Sequence, residues 1–278
     1  MAQAMVKRLL LATILLAFLS FNLVPLLWTL GTSLKPTPEI FSAPPTLWPH
    51  NFTLEHYRTV LVERAFGVYV ANSVLVGLGA TALALVVGAL AAYALARFRH
   101  PRAGLVEKAI LAAALFPPAV LLIPLYQVAL RLGLLNTYLI LILSHAALNL
   151  PFVVWVLTAF FREVPRELEE AARLDGFSTL GILSRIILPL SLPAVAATAI
   201  LVFIFSWNEF LFALALITTP AKRTVPVMVA LLSGTSLYEI PWGPISAAVV
   251  ATTAPVVAAI LIFQRWIVSG LTAGALKG

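Results

Sequence analysis

Long apolar runs alternate with short polar connections along this chain. The runs occupy about residues 9–30, 69–95, 109–130, 137–161, 190–217 and 245–268. Each is long enough to cross a hydrocarbon core of about 30 Å as a helix, at about 1.5 Å per residue. The pattern predicts an all-α, polytopic membrane protein, with a single transmembrane domain over residues 1–278 and about six transmembrane helices. Proline or glycine interrupts several runs, at Pro25, Gly88, Pro117, Pro118, Pro124, Pro151 and Pro255. Neighbouring helices satisfy the backbone groups such residues free, so these positions read either as kinks that shape a pathway or as ordinary membrane-helix punctuation. The first run follows Lys7 and Arg8, as a secretory signal would. It is longer than the roughly 7–15 apolar residues of a signal, and Trp28 to Pro38 offers no small-residue cleavage site.

Composition sharpens this picture. Hydrophobic residues make up 62% of the 278-residue chain and charged ones 10%, against about 45–50% apolar in ordinary soluble domains. The net charge of +7 does not point to nucleic acid, because most basic residues flank the apolar runs. One set of connections holds Lys7, Arg8, Arg97, Arg99, Arg102, Lys108, Arg162, Arg166, Arg173, Arg185, Arg265 and Lys277; the other holds Lys35, Arg58, Arg64, Arg131, Lys222 and Arg223. The first set, twelve against six, is expected to be cytoplasmic, with both termini inside. The outer loop Lys35–Phe66 is rich in proline and expected to be extended. No cysteine is present, which removes disulfide and thiolate chemistry.

The least apolar long inner segment is 162–189. Pro165 suits a helix's first turn, and Glu167, Glu169 and Glu170 near that end favour the helix dipole. Glu169 and Arg173, four apart, are expected to pair on the surface. Leu168, Ala171, Ala172 and Asp175 recur at helical spacing on one face, and Gly176 suits the left-handed conformation that ends a helix. Ser178 is placed to cap a second helix carrying Leu180, Leu183, Ile186 and Ile187, which Pro189 is expected to stop. The result is a helix, a glycine turn and a second helix. The small residues Ala171, Ala172 and Gly176 suit close approach by another protein, whereas the amphipathic pattern equally suits a loop lying on lipid.

Glu170-Ala171-Ala172, then Asp175-Gly176, then Ile186, Leu188 and Pro189 resemble the EAA loop of bacterial ABC importer permeases. Phe177 stands where alanine is usual in that family, and Leu183 where phenylalanine is frequent. The resemblance extends to Asn72-Ser73, to Ala91-Ala92-Tyr93-Ala94-Leu95-Ala96-Arg97 and to Phe205-Ser206-Trp207-Asn208-Glu209, which look like the carbohydrate branch. The tail Gly270–Gly278 is similar to that of the maltose-type inner permease subunit, where it also reaches the ATPase. The resemblance implies a coupling helix that inserts into an ATP-binding subunit through Glu170, Ala171, Ala172, Asp175, Gly176 and Phe177. It also implies an inner-membrane complex of this chain with a second permease subunit, two ATP-binding subunits and an extracytoplasmic sugar-binding protein, surrounded by membrane lipid. ATP and Mg are then bound by the partner ATPase, with no cofactor in this chain.

Consistent with that division, no Gly-x-x-x-x-Gly-Lys-Ser/Thr loop and no Gly-x-Ser-x-Gly elbow occur. His50, His56, His100 and His145 lack metal spacing. No catalytic constellation is expected. Trp207, Asn208 and Glu209 in the fifth run, and Asn149 with His145 in the fourth, are candidates to line a pathway, with helix packing as the rival role. Two other readings stay open: an ABC permease for a non-sugar solute, or a stand-alone secondary transporter, against which the lack of a clear internal repeat counts.

Overall fold

The computed structural model describes residues 2–98, 101–232 and 240–273, and among these no strand occurs. The tail resemblance over Gly270–Gly278 runs into residues 274–278, which lie outside the described residues. The main helices are α1 (Ala2–Ser33), α2 (Phe66–Arg97), α3 (Ala103–Ala114), α4 (Pro118–Arg131), α5 (Tyr138–Glu163), α6 (Arg166–Leu174), α7 (Thr179–Leu190), α8 (Leu192–Trp207), α9 (Leu211–Leu216) and α10 (Trp242–Ala273).

Four stretches are long and apolar enough to cross a membrane: Met5–Ser33, Phe66–Arg97, Tyr138–Glu163 and Trp242–Gln264. The count reaches six if the bent pairs α3–α4 and α7–α8 each form one span. The third apolar run is therefore not one straight helix. It folds through 94° between α3 and α4, where Pro117 is extended and Pro118 opens the next helix. Neither proline has an N–H, and each disfavours helical geometry in the residue before it. The fifth run is also interrupted, at Asn208–Phe210 between α8 and α9. Pro189 does not stop α7: the helix continues to Leu190 and turns at Ser191, bending 84° into α8. A π-type turn over Leu183–Ile187 comes just before that proline, and such turns and prolines are recognised sources of helix bending.

Internal contacts divide the chain into two compact units, residues 1–67 with 229–255 and residues 68–228 with 256–278. In the first, the apolar side chains of α1 are exposed from Met5 through Trp28. The following loop is organised by Glu39, whose carboxylate accepts the backbone N–H groups of His50 (2.8 Å) and Asn51 (3.2 Å) and contacts the His50 ring at 3.2 Å. Those backbone donors, that of His50 first, hold the Glu39 carboxyl below the usual carboxylate range, against an opposing contribution from burial.

In the second unit, α2 presents Ala80, Ala84, Gly88, Ala92 and Ala96 at successive intervals of four. The four alanines are buried in a core with Val153, Leu157 and Phe161 of α5. Small residues at this spacing let helix backbones approach closely. Gly88 carries that role rather than a kink: a Cβ there would stand 2.4 Å from Val153 Cγ1. A second core joins Val76, Ile140 and Leu141 to Phe212, Ala213 and Leu216 of α9. Asn72 and Ser73 fix a distant segment at one end of α2. The Asn72 amide donates to the carbonyls of Ala221 and Arg223, both at 2.9 Å, and Ser73 Oγ accepts the N–H of Val225 at 2.9 Å.

Candidate functional site

The segment 162–189 folds as α6, a turn and α7. Pro165 lies immediately ahead of α6, extended. Gly176 adopts φ +82°, the left-handed conformation that a glycine enters at no steric cost. Ser178 Oγ accepts the N–H of Gly181 at 3.2 Å and caps α7. Phe177 is half-buried against the core, with Arg185 lying 5.7 Å from its ring centroid.

The faces of α6 differ from those expected. Glu169 and Ala172 point inward and are buried, whereas Leu168, Glu170, Ala171, Asp175 and Gly176 are exposed. Leu174 is 90% exposed. Of the small residues expected to admit a partner, Ala171 and Gly176 are outward and Ala172 is taken up by the chain's own core.

Glu169 does not make the surface pair expected with Arg173. Its carboxylate turns inward and pairs with Arg97 Nε at the end of α2. Tyr93, one turn earlier, donates its hydroxyl to the other carboxylate oxygen at 3.0 Å. Arg97 also donates through Nη2 to the Val164 carbonyl at 2.8 Å. Both charged side chains are almost fully buried, so each is the other's compensation for leaving water. Tyr93 and Arg97 on one face of α2 thus grip the start of the loop at two points. The sequence carried a partial signal for this, an aromatic and a cation four apart within Ala91–Arg97. Their acceptor, more than seventy residues away, could not be read from spacing. At the first residue of the segment, Arg162 donates to both carboxylate oxygens of Glu107, at 3.1 and 2.8 Å.

The candidates in the apolar runs gather at the break between α8 and α9. Glu209 Oε1 accepts the N–H of Phe212 at 2.8 Å, and Oε2 accepts that of Ala213 at 3.0 Å, so the carboxylate serves the free donors at the start of α9. His145 Nε2 lies 3.1 Å from Oε2. Asn149 is buried and donates to the His145 carbonyl at 2.8 Å. Asn208 is exposed and donates to the Ile204 carbonyl at 2.8 Å. Trp207 is buried, with its ring 5.8 Å from that of Phe203. Of these residues Glu209 caps α9, and only Asn208 is open to the surroundings, with Glu209 partly so.

The described chain is thus helical, with several membrane-length apolar stretches and a two-helix loop clamped to the end of one of them. The profile described as "Binding-protein-dependent transport system inner membrane component" matches residues 84–273. The chain is 41% identical over 258 residues to the trehalose transport system permease protein SugB of Mycobacterium tuberculosis, covering 93% of each. It is 40% identical over 282 residues to the trehalose/maltose transport system permease protein MalG of Thermococcus litoralis, covering 100% of each. It also superposes on a bacterial ABC transporter involved in the import of the acidic polysaccharide alginate, with a TM-score of 0.80, 22% identity, and 94% of this chain and 96% of that one covered. The chain belongs to the family of binding-protein-dependent transport system inner membrane components. It is a permease subunit and not an enzyme.

Proposed function

We propose that this chain forms half of the translocation pathway of an ATP-driven sugar importer and takes its motive force through α6. In this reading a second permease subunit completes the pathway. Two ATP-binding subunits dock on the loop 162–189 and bind ATP and Mg, and an extracytoplasmic sugar-binding protein delivers the substrate. The complex resides in the bacterial cytoplasmic membrane with both termini of this chain inside, as the distribution of Lys and Arg favours. The sugar substrate is supported by the relatives' names, which include trehalose, trehalose/maltose and sulfoquinovosyl glycerol systems. A binding-protein partner is supported by the family description and by a structural neighbour, the alginate transporter solved with its pentasaccharide-bound periplasmic protein.

One observation carries the docking reading. Along α6 and the turn that follows it, Glu170, Ala171, Leu174, Asp175 and Gly176 are all exposed, while Glu169 ties the same helix to α2. An apolar side chain as exposed as Leu174 costs stability in water and suits a protein partner. The Glu170, Ala171, Leu174 and Gly176 surface then acts as a contact that is pressed, and the Tyr93–Arg97–Glu169 cluster passes that displacement to α2.

The test is replacement of Leu174 by Asp and of Gly176 by Val, with co-purification of the ATP-binding subunits and uptake of radiolabelled trehalose and maltose by cells. Loss of both association and uptake is expected. Unchanged association in both variants would sink the docking role. Uptake of every sugar tried surviving deletion of the subunit would sink the sugar assignment.

A further inference from the structure

Within the unit formed by residues 1–67 and 229–255, the end of α1 and the start of α10 enclose a pocket of about 470 Å³, a volume within the usual range for small-molecule sites. Its walls include the indoles of Trp28 and Trp242, the Phe41 ring and the hydroxyl-bearing Thr32 and Ser246, and Lys35 lines it. Lys35 is only 3% exposed. Its ammonium donates to the Thr46 carbonyl and lies 5.0 Å from the Trp28 ring centroid. Its backbone is also fixed, with its carbonyl 2.8 Å from His56 Nε2 and its N–H on the Thr32 carbonyl at 3.3 Å.

Among the described residues this lysine has no counter-charge in direct contact: no carboxylate lies within 4.0 Å of its ammonium. The nearest acid along the chain, Glu39, accepts from the Thr46 hydroxyl at 3.3 Å, from the His50 ring and from two backbone N–H groups, and makes no direct contact with the ammonium. A carbonyl dipole and an indole face offset part of the desolvation of a buried ammonium, but neither neutralises it. An ammonium has three N–H donors, and Thr46 takes one. The pocket therefore presents a fixed positive charge with spare donors on a floor that is otherwise aromatic and aliphatic. Trp28 and Trp242 stand near the ends of two membrane-length helices. Indoles concentrate at the headgroup level of a bilayer. The exposed apolar side chains of α1 run away from the pocket from Leu27 toward Met5.

We propose that this pocket binds the phosphodiester headgroup of an anionic phospholipid, with Lys35 as its counter-charge and the acyl chains lying along α1. The proposal rests on the reading that α1 and α10 span the membrane. A neutral sugar would leave the ammonium uncompensated, whereas a phosphodiester supplies both the charge and acceptors for the two remaining N–H groups.

The experiment is native mass spectrometry of the intact transporter in mixed micelles doped with phosphatidylglycerol or with phosphatidylcholine. The wild-type complex is expected to retain phosphatidylglycerol about tenfold more than phosphatidylcholine, a difference of about 1.4 kcal/mol. Lys35→Met should abolish that preference and Lys35→Arg should keep it. Ser246→Phe, which fills the pocket and leaves the ammonium in place, should lower retention of both lipids at this site. Inorganic phosphate should not displace the lipid, and neither should trehalose. Equal retention of the two lipids by the wild type would overturn the proposal, as would wild-type retention in Ser246→Phe. Displacement by phosphate would assign the pocket to a free anion, and displacement by trehalose to a sugar; either result overturns the lipid. If Lys35→Met does not assemble, Ser246→Phe alone decides. Uptake by the Ser246→Phe complex separates this question from the transport function, which fails independently.

Discussion

A buried carboxylate with two partners makes Glu169 the residue on which the loop depends. Removing one member of a buried ion pair leaves the other charged and uncompensated, at a cost of about 3–5 kcal/mol. Arg97→Ala and Glu169→Ala should therefore each lower the melting temperature of the detergent-solubilised protein substantially. The double variant Arg97→Met/Glu169→Leu should recover most of the loss, because an apolar pair of similar volume carries no desolvation penalty. Melting curves of the three variants check this. Glu39 gives a second residue-scale expectation. Its carboxyl titrates below its unfolded value, so ionised Glu39 contributes stability at pH above about 4.3. That contribution is lost as pH falls through the lowered folded value. Glu39→Gln should flatten the acid limb of stability against pH and leave the neutral region little changed, which melting at a series of pH values measures. The contrast between Gly176 and Glu169 marks where sequence reading stops. The left-handed turn at Gly176 and the Ser178 cap follow from contacts within three residues, so they were legible. The partner of Glu169 was set by the chain's return past α2, and the local spacing to Arg173 pointed to the wrong face.

At the level of elements, the apolar runs were legible because length and hydropathy alone define a membrane-length helix. Their interruptions were legible only as positions. Pro117 and Pro118 mark the place where the third run breaks, but the 94° angle between α3 and α4 depends on how both halves pack against α5 and α9. Gly88 illustrates the converse: it reads as a weak point along α2 and is in fact a contact. Gly88→Val should place a branched side chain against Val153 and destabilise the protein by about 1–3 kcal/mol. Gly104→Ala in α3 is the control. Apart from the chain neighbours and the backbone of α3 itself, no atom lies within 4 Å of the added methyl group, and alanine suits a helix better than glycine by about 0.5–1 kcal/mol. Opposite signs in thermal melting are the expected outcome. At the break between α8 and α9, the carboxylate of Glu209 substitutes for the helical carbonyls that the interruption removed, which is why an acidic residue is tolerated within an apolar run.

Across the whole molecule, far more apolar surface stays exposed than a water-soluble chain tolerates, and α1 carries much of it. Lipid covers such a surface in a membrane, and a second permease subunit shares it in the proposed complex. Expression of this chain alone should give a poorly accumulating, aggregation-prone product, and co-expression with the partner permease should raise its yield several-fold. Size-exclusion profiles in detergent with quantitative blotting measure both. The sequence made the membrane class plain because composition is a property of the whole chain. The division into two compact units was not legible, since the first unit takes in chain from both sides of a long insertion, residues 68–228.

The grip of Tyr93 and Arg97 on Glu169 also fixes a fulcrum. Leu174 lies five residues further along α6, an arm of about 7.5 Å at the helical rise. A partner bearing on Leu174 therefore applies a torque about Glu169 as well as a push. In the proposed complex such a load would turn the end of α2 as well as displace it, in a direction set by which side of α6 the partner loads.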